Sequence, residues 1–119
     1  MSANETIVDE EQTLTVLRRW PDGDVIALFP LLPTDVFIPP PGRCESYMHI
    51  GQHGAADYHH VVRKTRPASP EEPEAAALLA ELRQIGYRPK LRRRLSYREW
   101  QEGERVWREL RHVIEGGTV

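Results

Sequence analysis

The stretch TLTVLRRWPDGDVIALFPLL, residues 13–32, decides the fold. Two arms rich in β-branched, aliphatic and aromatic residues flank Pro21-Asp22-Gly23-Asp24. Proline supplies a fixed φ, aspartate a local side-chain cap and glycine a positive φ, so the stretch predicts a β-hairpin. The second arm is apolar on both faces from Val25 to Phe29, the pattern of a central strand covered on both sides. A buried helix segment would read similarly over so short a run, but the adjoining turn decides for strand.

Downstream, PLLPTDVFIPPPGR (residues 30–43) holds five prolines in fourteen residues and reads as an extended surface loop, because consecutive prolines cannot donate to a ladder. CESYMHI then returns as a third strand ending at Gly51 and Gly54, and ADYHHVVRKT predicts a short helix capped by Asp57. Ser69 and Glu72 form a Ser-x-x-Glu capping box with Pro70 at the first helical position. Ala75, Leu78, Leu79, Leu82 and Ile85 follow at core-facing spacing, and Gly86 stops that helix with Tyr87 folded back onto Leu82. YRPKLRRRL reads as a strand with Tyr87, Leu91 and Leu95 on one face and Arg88, Lys90, Arg92 and Arg94 on the other. Ser96 and Glu99 open a last helix running to about residue 115.

The expected fold is therefore α+β: a small, mostly antiparallel sheet of three to four strands with two to three helices packed on one face. The expected organisation is a flexible acidic tail over 1–11, a core domain over 12–95 and an appended C-terminal helix over 96–119. At 119 residues, 39% hydrophobic and 29% charged, the composition fits one folded domain. Net charge is −2, but the signs are separated along the chain. Residues 1–12 carry four acids and no base, and residues 83–98 seven bases and no acid, which predicts a local basic surface. A single cysteine forms no internal disulfide, no apolar run approaches a membrane span, and the first residues lack the pattern of a signal peptide. A cytoplasmic protein without membrane partners is expected.

RRWPDGDVIALFP, SYMHIGQHGAADY and TRPASPEEPEAAALLAEL together resemble a family of short uncharacterised bacterial proteins often met on plasmids, phages and other mobile elements. The family pattern is an IALFP strand, a SY-x-H-x-GQHG-x-ADY loop, TRPATPEEY opening a helix and GY closing it. The likeness covers about residues 17–94. Pro73 stands where the family tends to have tyrosine, and the proline-rich insert and C-terminal helix lie outside its core. The resemblance implies a regulator, a nucleic-acid-binding accessory or an inhibitor of host defence, and it implies no catalytic residues.

Four of the five histidines fall within residues 46–60, close to Cys44. Cys44, His49 and His53 are of zinc-ligand type, yet C-x4-H-x3-H matches no common structural zinc pattern and Gly51 argues against a helix joining the two histidines. No cofactor is expected, zinc being the metal this donor set would suit. Cys44 with His49 or His53 also has the makings of a thiolate–base pair, though no nucleophile elbow frames it.

Gly51 and Gly54 bracket Gln52-His53, a tight turn that either presents two polar side chains to a partner or merely links strand to helix. Arg88, Lys90, Arg92 and Arg94 offer a cationic strip suited to an acidic protein or a phosphate backbone, or one that protects a sheet edge. Trp100, Gly103, Trp107, Leu110 and Ile114 form a heptad-like seam that covers the core or docks a second copy as a homodimer through 96–115.

The leading expectation is a small non-enzymatic binding protein of a mobile genetic element, including an inhibitor of a host defence system, acting on a protein target. A nucleic-acid target through residues 88–94 ranks second. The alternative class is a metal-assisted or cysteine-dependent hydrolase or transferase centred on Cys44, His49 and His53.

Overall fold

A computed structural model describes residues 12–34, 37–49 and 52–114; the expected acidic tail over 1–11 lies outside them. The chain is α+β. Its elements in order are β1 (Thr13–Arg19), β2 (Val25–Pro33), β3 (Cys44–Met48), β4 (Gln52–Ala56), α1 (Tyr58–Lys64), β5 (Arg66–Pro67), α2 (Pro73–Gln84), β6 (Pro89–Arg92) and α3 (Tyr97–Ile114). The sheet runs β4-β3-β2-β1, with six strands in place of the three to four expected. The outer side of β1 is divided: β6 pairs parallel with Thr13 to Val16, and β5 pairs antiparallel with Arg18 and Arg19. All other pairings are antiparallel.

The hairpin forms where expected. Gly23 takes φ +102°, its N–H donates to the Trp20 carbonyl at 2.9 Å, and Asp22 Oδ1 accepts the Asp24 N–H at 3.0 Å. That closure sets the register Arg19↔Val25 and Val16↔Leu28.

With register fixed, side-chain alternation separates two cores. Leu17, Val25, Ala27, Phe29 and Tyr47 pack against Ala75, Leu78, Leu79 and Leu82 of α2. On the opposite face Leu14, Val16, Ile26, Leu28 and Cys44 pack against Tyr58 and Val61 of α1. Helices thus cover both faces, which corrects the one-sided arrangement expected from the sequence. The reason is the two-sided apolar pattern of β1 and β2. Leaving either face bare would expose side chains whose burial contributes about 1.5–3 kcal/mol each.

Local chemistry sets the helix boundaries. Asp57 caps α1 by accepting the His60 N–H. Buried Arg18 closes the other end, donating to the carbonyls of Val62 (3.0 Å) and Thr65 (2.8 Å) and to Thr65 Oγ1 (2.9 Å). A cation there also complements the negative end of the helix dipole. Helix α2 begins later than expected, at Pro73 with Glu72 as N-cap. Ser69 to Glu72 instead form a turn, in which the Ser69 N–H reaches Glu72 Oε2 at 3.2 Å and the Glu72 N–H reaches the Ser69 carbonyl at 3.0 Å.

The α2 stop is a Schellman motif. Gly86 lies at φ +108°, its N–H donates to the Arg83 carbonyl, and the Tyr87 N–H reaches the Leu82 carbonyl at 2.9 Å. Helix α3 opens with the reciprocal Ser96–Glu99 capping box. It packs on β2 through Gly103, where a Cβ would come within 2.8 Å of Leu31 Cδ2. The proline-rich connection is more enclosed than a surface loop: Pro30, Pro40 and Pro41 are fully buried, and the Pro41 carbonyl accepts the Tyr58 N–H.

Candidate functional site

The histidine-rich segment does not form the expected glycine-bracketed turn. Gln52 and His53 open strand β4, with His53 opposite Tyr47, and Gly54 lies within the strand opposite Ser46. The sequence QHGAA lacks β-branched residues, so only its pairing with β3 makes it a strand.

The sheet also separates the cysteine from the histidines. Cys44 faces the α1 core, fully buried, and burial pushes its thiol up to about 12, outweighing the hydrogen bond from the Phe29 backbone that opposes it. His49 and His53 lie on the α2 side, beside Tyr47. Neither the Cys44–His49 nor the Cys44–His53 pair exists. Nor do Cys44, His49 and His53 converge as metal ligands. Among the described residues, no three His, Cys, Asp or Glu side chains are grouped to hold a metal ion.

On the α2 side the histidines enter a chain of contacts. The Tyr47 hydroxyl donates to Glu81 Oε1 at 2.7 Å, and His49 Nδ1 meets Glu81 Oε2 at 2.5 Å. The His53 ring packs edge-on against Tyr47 with centroids 4.8 Å apart, and Tyr87 stacks on Phe29 at the same separation. The Tyr87 hydroxyl lies 3.4 Å from His53 Nε2, and partial burial, with the charge of Glu45, raises its pKa. This cluster joins β3, β4 and α2. Glu81, Tyr47 and Tyr87 carried no sequence signal for it beyond their polar tips on core-facing elements.

The basic segment is rearranged in a different way. Strand β6 ends at Arg92, so Arg94 falls beyond the expected strip and Leu95 turns to the α1 core rather than following Tyr87 and Leu91. Arg92, registered with Val16, faces the side on which α3 lies, and its Nε donates to Glu99 Oε2 at 3.0 Å. Arg92 is therefore a structural tie and not a free cation. Arg88, Lys90, Arg93 and Arg94 are exposed and form no ion pair with any described residue.

Where β6 and β5 both end, beside Leu17 of β1, lies a pocket of about 150 Å³. Leu17, Pro67, Ala68, Pro70 and Leu91 line it with Arg92 and Arg93. Arg93 also lies near enough to buried Arg18 to help lower its pKa, after the larger effect of burial. The pocket escaped the sequence reading because it exists only once two distant strands share one edge.

The α3 seam divides into two parts. Trp107 is 8% exposed with the Arg111 guanidinium 5.4 Å from its ring centre, whereas Trp100 is 40% exposed against His59. Leu110 and Val113 are exposed towards the helix end.

The chain matches no protein-family model, no curated protein and no solved structure. No helix among the described residues is long and apolar enough to cross a membrane.

Proposed function

We propose that the chain is a small non-enzymatic binding protein that seats an acidic segment of a protein partner on its β5/β6 edge. One observation carries this reading: an apolar pocket opens on a sheet edge beside the guanidinium of Arg93, which forms no ion pair with a described carboxylate. An apolar side chain flanked by acids meets complementary chemistry there. The four-residue length of β6 and the engagement of Arg92 by Glu99 leave too short a strip to track many phosphates. Those two features favour protein over nucleic acid. A regulatory role on a mobile element, including inhibition of a host defence system in the cytoplasm, rests on the shared sequence pattern.

Fluorescence anisotropy tests the reading with two probes: peptides bearing one bulky apolar residue between acids, and a labelled oligonucleotide duplex. The expected result is peptide binding with mild salt dependence, lost on Lys90→Glu with Arg93→Glu and weakened by Leu91→Asp. Duplex binding whose affinity falls steeply with salt would replace the protein reading with a nucleic-acid one. Binding by neither probe would leave the cations as edge protection only.

A further inference from the structure

Arg18 is buried against the end of α1, only 7% exposed, and no described carboxylate pairs with it. Its Nε donates to Thr65 Oγ1, and its Nη2 to the carbonyls of Val62 and Thr65. Those bonds use every N–H of Nε and Nη2 and leave both N–H groups of Nη1 without a described acceptor. A second buried donor lies near it. Tyr58, 6% exposed, takes the Leu95 N–H on its hydroxyl oxygen at 3.3 Å, and no described residue accepts the hydroxyl proton. Buried donors and charges are normally partnered, because one left unanswered costs more than its other bonds return.

The surroundings add cations in place of a carboxylate. The bond to Tyr58 holds the segment 93–95 against α1. Arg93 lies beside Leu17 and Pro67, which are the chain neighbour and the ladder partner of Arg18. The charge of Arg93 reaches Arg18, and that of Arg94 reaches the Tyr58 hydroxyl. Arg93 and Arg94 are exposed, and neither forms an ion pair with a described residue. Guanidinium groups and a phenol with unused donors are thus gathered in one place, where like charges repel unless an anion joins them.

We infer that Arg18, Tyr58, Arg93 and Arg94 bind a phosphoryl dianion, carried by free phosphate or by a phosphate monoester. Nη1 of Arg18 and the Tyr58 hydroxyl form the floor of the site, and Arg93 and Arg94 close over it from the exposed segment. A dianion with several acceptor oxygens offers one to each of these donors. A carboxylate brings a single charge and too few oxygens to answer all the guanidinium groups. Arg18 also stands between the anion and the last carbonyls of α1, whose partial charge would otherwise repel it. The site shares Arg93 with the β5/β6 pocket but does not rest on the acidic-segment reading, since Tyr58 and Arg94 line no part of that pocket.

Thermal melting and titration calorimetry of the full chain test it, with inorganic phosphate and phosphoserine as probes and chloride adjusted to hold ionic strength constant. The expected result is a melting temperature that climbs with added phosphate or phosphoserine. The dissociation constant should rise about fivefold or more in Arg94→Gln and about tenfold or more in Tyr58→Phe. Tighter binding of phosphoserine assigns the site to a phosphorylated side chain, and tighter binding of phosphate assigns it to the free ion. Neither variant alters the β5/β6 pocket, so binding of the acidic peptides stands or falls separately. Stabilisation no greater than that given by chloride would overturn the inference, leaving Nη1 to water. So would an Arg94→Gln variant that binds phosphate as the parent does. Should Tyr58→Phe fail to fold, Arg94→Gln alone decides.

Discussion

The Tyr47 hydroxyl donates to Glu81 Oε1 at 2.7 Å, tying β3 to the middle of α2 across the sheet face. His49 occupies the other oxygen of the same carboxylate. Tyr47 is nearly inaccessible to solvent, so its hydroxyl has little water to turn to. Tyr47→Phe should therefore destabilise the chain by about 1 kcal/mol, the usual net value of such a bond. Urea unfolding should show a lower midpoint at an unchanged slope. A changed slope would mean that the bond also shapes the unfolded state.

Cys44 should be inert in the folded protein. Its thiol is enclosed between β3 and α1 and titrates only near 12, so the thiolate that reacts with electrophiles is scarce at pH 8. Labelling with a thiol reagent at that pH should be slow in native buffer and complete in denaturant. Rapid native labelling would show that α1 lifts from the sheet.

The two tryptophans on the inner side of α3 should separate cleanly. Trp107→Ala removes a ring that is 8% exposed and should cost about 3–5 kcal/mol. Trp100→Ala removes a ring that is 40% exposed and rests partly on His59, and should cost about 1 kcal/mol or less. Thermal melting of both variants checks the contrast, and equal losses would refute it.

Gly103→Leu should destabilise by about 1–3 kcal/mol, although leucine favours helix more than glycine does. The first added carbon already lies 2.8 Å from Leu31 Cδ2, so the helix must retreat from β2 or Leu31 must leave its place. Gly103→Ala is the milder control. Leu31 can yield by a small rotation there, and the loss should be smaller.

Acid should weaken the β1–α2 connection. Hydrogen bonds from Arg19 hold the carboxyls of Glu72 and Glu74 below the ordinary value of 4.5. Groups with lowered folded pKa contribute stability that is complete above 4.5 and fades as pH falls through the lowered values. Arg19→Met should melt earlier than the parent at pH 7, and the gap should narrow at pH 3. An equal gap at both values would assign the Arg19 effect to packing of its stem.

Features carried by neighbouring residues were legible in the sequence. The Pro-Asp-Gly-Asp hairpin, the Asp57 cap, the Gly86 stop and the Ser96–Glu99 box are local, and each formed as read. Misreadings gathered where distant elements meet. Gln52 to Ala56 has weak strand propensity and is a strand because Cys44 to Met48 lies beside it. The Ser69–Glu72 pair spends its hydrogen bonds on a turn that precedes the helix. Arg92 has the spacing of a free cation, and only the placement of α3 beside β6 brings Glu99 to it. The packing of α3 on β2 follows from Gly103 and Trp107, which no capping or strand signal marks as a contact.

The divided edge of β1 bears on the order in which the protein is made. Thr13 pairs with Pro89, 76 positions later, whereas Arg18 pairs with Pro67 and every other strand contact links neighbours in the chain. A ribosome emits roughly 5–20 residues each second, so the N-terminal half of β1 waits on the order of seconds for its second neighbour. During that interval Val16 and Leu17 sit beside an open ladder. The nascent chain is then most exposed to chaperone capture or to pairing with another nascent copy, and the arrival of β6 closes that window.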